Sequence, residues 1–168
     1  GMQKKVLTEQ ALYFGDVKMP KGFDIDPFEM SKAIFESSYT GEDMPFFRTW
    51  DRLNKYIVEH VRVKYNLNLV NKKTWGEMYF PNVKTNPTTG VDPVDLRNSP
   101  DFVCLYGVNA VDCNVRIYYD NNRKKGRSWD MPLTHNKFIM FPATNLYYIE
   151  NNQKNLANFV QIITYELI

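Results

Sequence analysis

The sequence predicts a mainly β protein, a jelly roll or barrel, on three observations. From Cys113 to Ile168 the chain is a succession of short apolar runs, rich in β-branched and aromatic residues and separated by turn formers. No helical pattern separates these later runs, which argues against a parallel α/β sheet. Two helical patterns stand ahead of most of the strands, so they are expected to pack on one sheet from outside.

Within the C-terminal stretch, Val115, Ile117 and Tyr119 mark one strand, with a turn at Asn121-Asn122 and Gly126. Phe138-Ile139-Met140-Phe141 marks another, Asn151-Asn152 a further turn, and Phe159 to Ile168 the closing strand. Upstream, residues 5–19 carry Val6, Leu12, Tyr13, Phe14 and Val17 around the break Gly15-Asp16, which fits a strand or hairpin at a sheet edge. Asp26, Pro27 and Glu29 form a helix start, an N-cap followed by proline and an acidic residue in the first turn. That helix, about 26–38, carries Phe28, Ala33, Ile34 and Phe35. A second, about 44–66, has Pro45 in its first turn and an apolar stripe at Phe46, Trp50, Leu53, Ile57, Val61 and Tyr65, spaced for packing on a sheet. Asn66 and Asn68 close it, since asparagine tolerates the left-handed conformation.

Leu69 to Phe80 returns to strand-like residues around Trp75, Met78 and Tyr79. A turn-rich loop follows from Pro81 to Pro100, long enough to suggest a binding or lid element or a plain surface insertion. Asp101 to Val108 is a further strand. The expected organisation is one jelly-roll domain over 1–168, with a β core over about 69–168.

Composition narrows the function classes. With 168 residues and 43% hydrophobic content the chain is large enough to bury a core without staples. A net charge of +2 is too small to imply nucleic-acid binding, and the basic cluster Arg123-Lys124-Lys125 with Arg127 sits in a turn. No run is long and apolar enough to span a bilayer, so no membrane role is expected. Cys104 and Cys113 occur without CxxC or Cys/His spacing, which excludes a zinc site of the usual kind; a reduced, cytoplasmic setting is expected, although two neighbouring strands could bring the pair close enough for a bridge. There is no Gly-x-Ser-x-Gly elbow and no glycine-rich phosphate loop. His60 reads as a semi-exposed helix residue and His135 as a turn residue.

The long helix, the strand near Trp75, the loop, the strand Phe102 to Val108, and then PLTHNKFIMFPATNLYYIENN and NFVQIITYELI together resemble the Fe(II)/2-oxoglutarate dioxygenase-like double-stranded β-helix. The likeness is closest to the small versions carried by tailed phages, and cupin-type jelly rolls share the pattern. Its most specific piece is Phe138-Ile139-Met140-Phe141-Pro142. The resemblance implies a facial triad, a His-x-Asp or His-x-His pair plus a distant His, and a basic residue for the co-substrate. Neither paired motif exists in this chain. Tyr147 or Tyr148 stands where the distant histidine falls, Ala157-Asn158 where the basic residue falls, and Pro81 to Asp101 offers Asp92, Asp95 and Asp101 but no histidine.

The resemblance therefore implies a scaffold without its iron and co-substrate site. The function expected is a non-catalytic binding or assembly protein, of phage origin, in the host cytoplasm or the virion. The alternative is a metal-dependent oxygenase or cupin-like enzyme with displaced ligands, for example Asp92, Asp95, Asp101 and His135. No cofactor and no catalytic residue are assigned. Tyr106, Tyr118, Trp129, Tyr147 and Tyr148 are the pocket candidates, because aromatic rings stack on ligands and fill interfaces. The expected partner is a protein or small molecule in the jelly-roll pocket, with a homo-oligomer as a further expectation.

Overall fold

The computed structural model describes residues 1–7, 9–19, 24–120 and 126–168. The expected turn at Asn121-Asn122 and the basic cluster from Arg123 to Lys125 lie outside them. The element order is β1 (Tyr13–Asp16), α1 (Pro27–Thr40), α2 (Arg48–Tyr65), β2 (Leu69–Tyr79), β3 (Phe102–Val108), β4 (Cys113–Asp120), β5 (Arg127–Leu133), β6 (Lys137–Pro142), β7 (Leu146–Asn151) and β8 (Asn158–Leu167). The strands form two antiparallel sheets, a larger one ordered β1-β6-β3-β8-β2 and a smaller one ordered β5-β4-β7. The architecture is mainly β, a double-stranded β-helix with both helices on the outer face of the larger sheet.

Two apolar layers result. Between the helices and the larger sheet lie Met30, Ile34, Trp50, Leu53, Ile57 and Val61, against Cys104, Tyr106, Phe138, Met140, Ile163 and Tyr165. Between the two sheets lie Val103, Leu105, Ile139, Phe141, Val160 and Ile162, against Val115, Ile117, Leu133, Tyr147 and Ile149. Successive side chains of β3 go alternately to one layer and the other, so the whole strand is buried. Cys104 and Cys113 therefore belong to different layers, and both are free thiols.

The helix ends follow local chemistry. The Asp26 carboxylate accepts the amides of Phe28 and Glu29 at 3.0 and 3.3 Å. The helix then runs past Ser38 to Thr40 and stops at Gly41, whose φ of 73° is left-handed. Its buried face is Met30, Ala33, Ile34 and Ser37, while Phe28 and Phe35 are exposed. The second helix starts at Arg48, later than its apolar pattern suggests, because the chain before it is extended and the Met44 amide bonds the Thr74 carbonyl. Phe46 is exposed as a consequence. Asn66, at φ 55°, terminates this helix.

Gly76 sets how closely α1 approaches the sheet. A Cβ there would fall 2.6 Å from the Ile34 Cα and carbonyl oxygen. Its amide donates to the Ser37 hydroxyl at 2.8 Å, and that hydroxyl donates to the Glu42 carbonyl at 2.6 Å. A backbone donor that would otherwise be buried and unpaired is satisfied by the helix itself.

The first part of the stretch from Pro81 to Pro100 lies against the smaller sheet. Lys84 bridges to Glu150 and Thr88 to Tyr147, so this segment runs antiparallel beside β7 and extends the smaller sheet at its β7 edge. Leu96–Asn98 forms a 3-10 turn.

Candidate functional site

The register of β2 builds one wall of a cavity between the sheets. Trp75, Glu77 and Tyr79 are spaced by two, and their β8 partners across the ladder are Ile162, Val160 and Asn158. Since Val160 and Ile162 face the inter-sheet layer, these three β2 side chains do as well. The opposite wall is the segment beside β7, which contributes Thr85, Thr88, Thr89 and Gly90, together with Tyr147. Val103 and Ile162 close the floor of this space of about 320 Å³. Gly90 is required by the close packing, because a Cβ there would lie 2.3 Å from Val103 Cγ2.

Burial sets the electrostatics. It raises the Glu77 carboxyl above its ordinary range, and the neighbouring Trp75 side chain opposes the rise. Burial pushes the Tyr147 phenol up to about 12, with Glu77 adding to the effect. The Tyr79 phenol is raised in the same way, and Tyr147, Glu77 and Cys113 all contribute. Both phenols therefore stay protonated near neutral pH.

The five aromatic candidates from the sequence do not gather in one place. Tyr147 lines this cavity, with its ring edge-on to Phe141 at 5.0 Å. Tyr148, the next residue, points to the outer face of the smaller sheet, because successive strand residues face opposite ways. There it packs with Tyr118, centroids 6.3 Å apart, under Lys84 at 4.5 Å and Arg116 at 5.6 Å. Tyr106 lies in the helix-facing layer and donates to Asn136 Oδ1 at 2.6 Å, so it does not reach the space between the sheets. Trp129 borders a separate groove of about 670 Å³ between β5 and residues 10–14 of the N-terminal segment, lined also by Leu12, Phe14 and Met131. Trp75, Glu77 and Tyr79 were not singled out by sequence reasoning, although their alternation along β2 is visible in the sequence.

The histidines and the loop aspartates serve local structure. His135, in the turn between β5 and β6, accepts the Asn109 amide on Nδ1 at 2.9 Å. His60 stacks on Tyr56 at 5.4 Å. Asp92 accepts the Val94 amide and Asp101 the Leu167 amide. Asp101 precedes β3 while Asn109 follows it, so His135 and Asp101 stand at opposite ends of that strand, about 20 Å apart. The set Asp92, Asp95, Asp101 and His135 therefore does not converge. Among the described residues no three His, Cys, Asp or Glu side chains are grouped to hold a metal.

The residues present do not fit an iron and 2-oxoglutarate site. Tyr147 occupies the inward position beside Thr88, and its protonated phenol is a poor ligand for a divalent ion. Glu77 is the one carboxylate among the described lining residues, which include no histidine, lysine or arginine. At the start of β8, Asn158 is fully buried, and its Oδ1 accepts from the Val111 amide and from Gln153 Nε2. A dianionic co-substrate would meet a carboxylate and neutral dipoles in this cavity, with no cation to compensate its charge.

No protein-family model matches the chain, and no curated protein matches it. Similarity appears at the level of solved structures. The non-heme α-ketoglutarate-dependent epimerase SnoN from nogalamycin biosynthesis superposes with a TM-score of 0.66 at 9% identity, covering 93% of this chain and 77% of that one. A Pseudomonas putida prolyl-4-hydroxylase gives a TM-score of 0.64 at 9% identity, covering 94% and 88%. A prolyl hydroxylase from Trichoplax adhaerens, in complex with a hypoxia inducible factor peptide fragment, gives 0.61 at 9%, covering 92% and 83%. The chain has the double-stranded β-helix fold of the 2-oxoglutarate/Fe(II) oxygenases. At this identity the likeness establishes the fold alone.

Proposed function

We propose that this protein is a non-catalytic binding or assembly module on an oxygenase-type double-stranded β-helix, of the small kind that tailed phages carry. Tyr147 is the observation that carries the reading. It holds the inward position opposite Thr88, where the resemblance expects an imidazole, and its phenol is pushed up to about 12. The cavity itself is retained and is of a size that takes a small ligand.

The test is thermal unfolding with Fe(II) or Mn(II), alone and with 2-oxoglutarate, alongside an assay for succinate. A ligand that binds only the folded state raises the melting temperature by mass action. The expected result is no saturable rise and no succinate above the protein-free rate. A saturable metal-dependent rise accompanied by 2-oxoglutarate turnover would return the protein to the oxygenases.

A further inference from the structure

The same cavity carries a more specific assignment, which rests on the binding-module reading. We infer that Glu77, with the rings of Trp75, Tyr79 and Tyr147 around it, forms a site for a small organic cation of the alkylated ammonium type.

A half-buried carboxylate is costly unless a cation or several donors face it. Glu77 has the Trp75 side chain beside it, and no ion pair to it is present among the described residues. Its carboxyl is raised because burial is not compensated by positive charge. The missing partner is therefore a cation, and the walls select which kind. The wall threonines are engaged, Thr85 Oγ1 accepting the Ile149 amide while Thr88 and Thr89 donate to backbone carbonyls, and three aromatic rings with the side chains of Val103 and Ile162 supply the aromatic and apolar surface. An ammonium carrying alkyl groups is weakly hydrated, gains from the ring faces, and neutralises the carboxylate. A hard inorganic cation is held by several carboxylate and carbonyl oxygens, and Glu77 is the one carboxylate among the described lining residues.

The mouth is consistent with this charge preference. Trp75, Glu77 and Gly90 also border an adjoining open recess that contains Asp43, Asp92, Lys72 and Lys73. Both lysines there are engaged, Lys72 with Glu166 at 2.9 Å and Lys73 with Asp43 at 3.7 Å. Lys73 Nζ also lies 5.7 Å from the Trp75 ring centroid, so this indole already receives a cation on the recess side.

Calorimetric titration of the full chain with choline, and with its uncharged isostere in which a quaternary carbon replaces the nitrogen, tests the assignment. Choline is expected to bind at least about tenfold more tightly than the isostere, a gap that cation–π contacts and one carboxylate readily supply. Glu77→Gln is expected to weaken choline by a similar factor and leave the isostere unchanged. Equal affinity for the two probes, or binding of neither at about 10 mM, overturns the inference. The comparison of probes uses the unaltered protein, so it stands whether or not the variant folds. Failure to bind choline, with no 2-oxoglutarate turnover, removes the cation site and leaves the binding-module reading. Iron-dependent turnover removes both.

Discussion

Thr88 and Tyr147 exchange two backbone hydrogen bonds, Thr88 N–H to the Tyr147 carbonyl at 3.0 Å and Tyr147 N–H to the Thr88 carbonyl at 2.9 Å. This bridge holds the segment from Pro81 to Gly90 against β7 and fixes the Tyr147 ring over the cavity. Tyr147→Ala should lower stability by about 3 kcal/mol, since it removes a buried ring and leaves a void. Tyr147→Phe should cost less than about 1 kcal/mol, because the ring and its contact with Phe141 remain. Denaturant unfolding of the two variants checks the contrast.

The raised carboxyl of Glu77 makes stability depend on pH with a definite sign. The folded chain takes up this proton more readily than the unfolded chain, whose value is near the ordinary 4.5. The stability it contributes is therefore fully present below that value and is lost as pH rises through the higher folded value. Glu77→Gln cannot ionise and escapes the loss. It should be more stable than the parent at neutral pH, by less than about 1 kcal/mol given the group's partial exposure, and the advantage should vanish near about pH 4. Melting curves of both proteins across that range give the answer; an advantage that grows towards acid would contradict the assignment.

Gly76→Ala should be among the most damaging single-methyl additions in the molecule. The new Cβ meets the Ile34 backbone and not a movable side chain end, so α1 must shift away from the sheet. A loss of about 3 kcal/mol is expected, at the upper end for overpacking. Gly126→Ala, with open space around the added carbon, is the matched control and should leave the unfolding midpoint nearly unchanged.

Asn151 ties three parts of the cavity's frame together. It is fully buried, and its Nδ2 donates to the carbonyls of Tyr79, Phe80 and Leu156 at 2.9, 3.1 and 3.0 Å, while Oδ1 accepts the Gln153 amide at 2.9 Å. Asn151→Asp turns the donor into an acceptor facing these carbonyls and should cost about 3 kcal/mol, more at neutral pH than in acid. Loss of amide-exchange protection at the end of β2 and in the turn before β8 would accompany it. Unchanged exchange there would show that the side chain is not the tie.

The sequence by itself determined the kind of fold and much of the chain order. Turn formers between β-branched and aromatic runs marked the strands, and Asp26-Pro27 marked the first helix, because these are local preferences of the backbone. It also determined that no histidine stands in the Pro81 to Asp101 segment or near Tyr147, which counts against iron whatever the packing. The start of the second helix was not legible, since the apolar spacing continues through Phe46 while the chain before Arg48 is extended and the Met44 amide bonds the Thr74 carbonyl. Nor was it legible which of Tyr147 and Tyr148 faces inward, or that Tyr106 faces the helices. Both faces of β3 are buried, and β7 keeps Tyr147, Tyr148 and Ile149 all buried in succession, so no alternation of polar and apolar residues distinguishes one face from the other. Only the tertiary structure, by laying helices on one side of the larger sheet and the second sheet on the other, decided that Trp75, Glu77, Tyr79 and Tyr147 share one cavity.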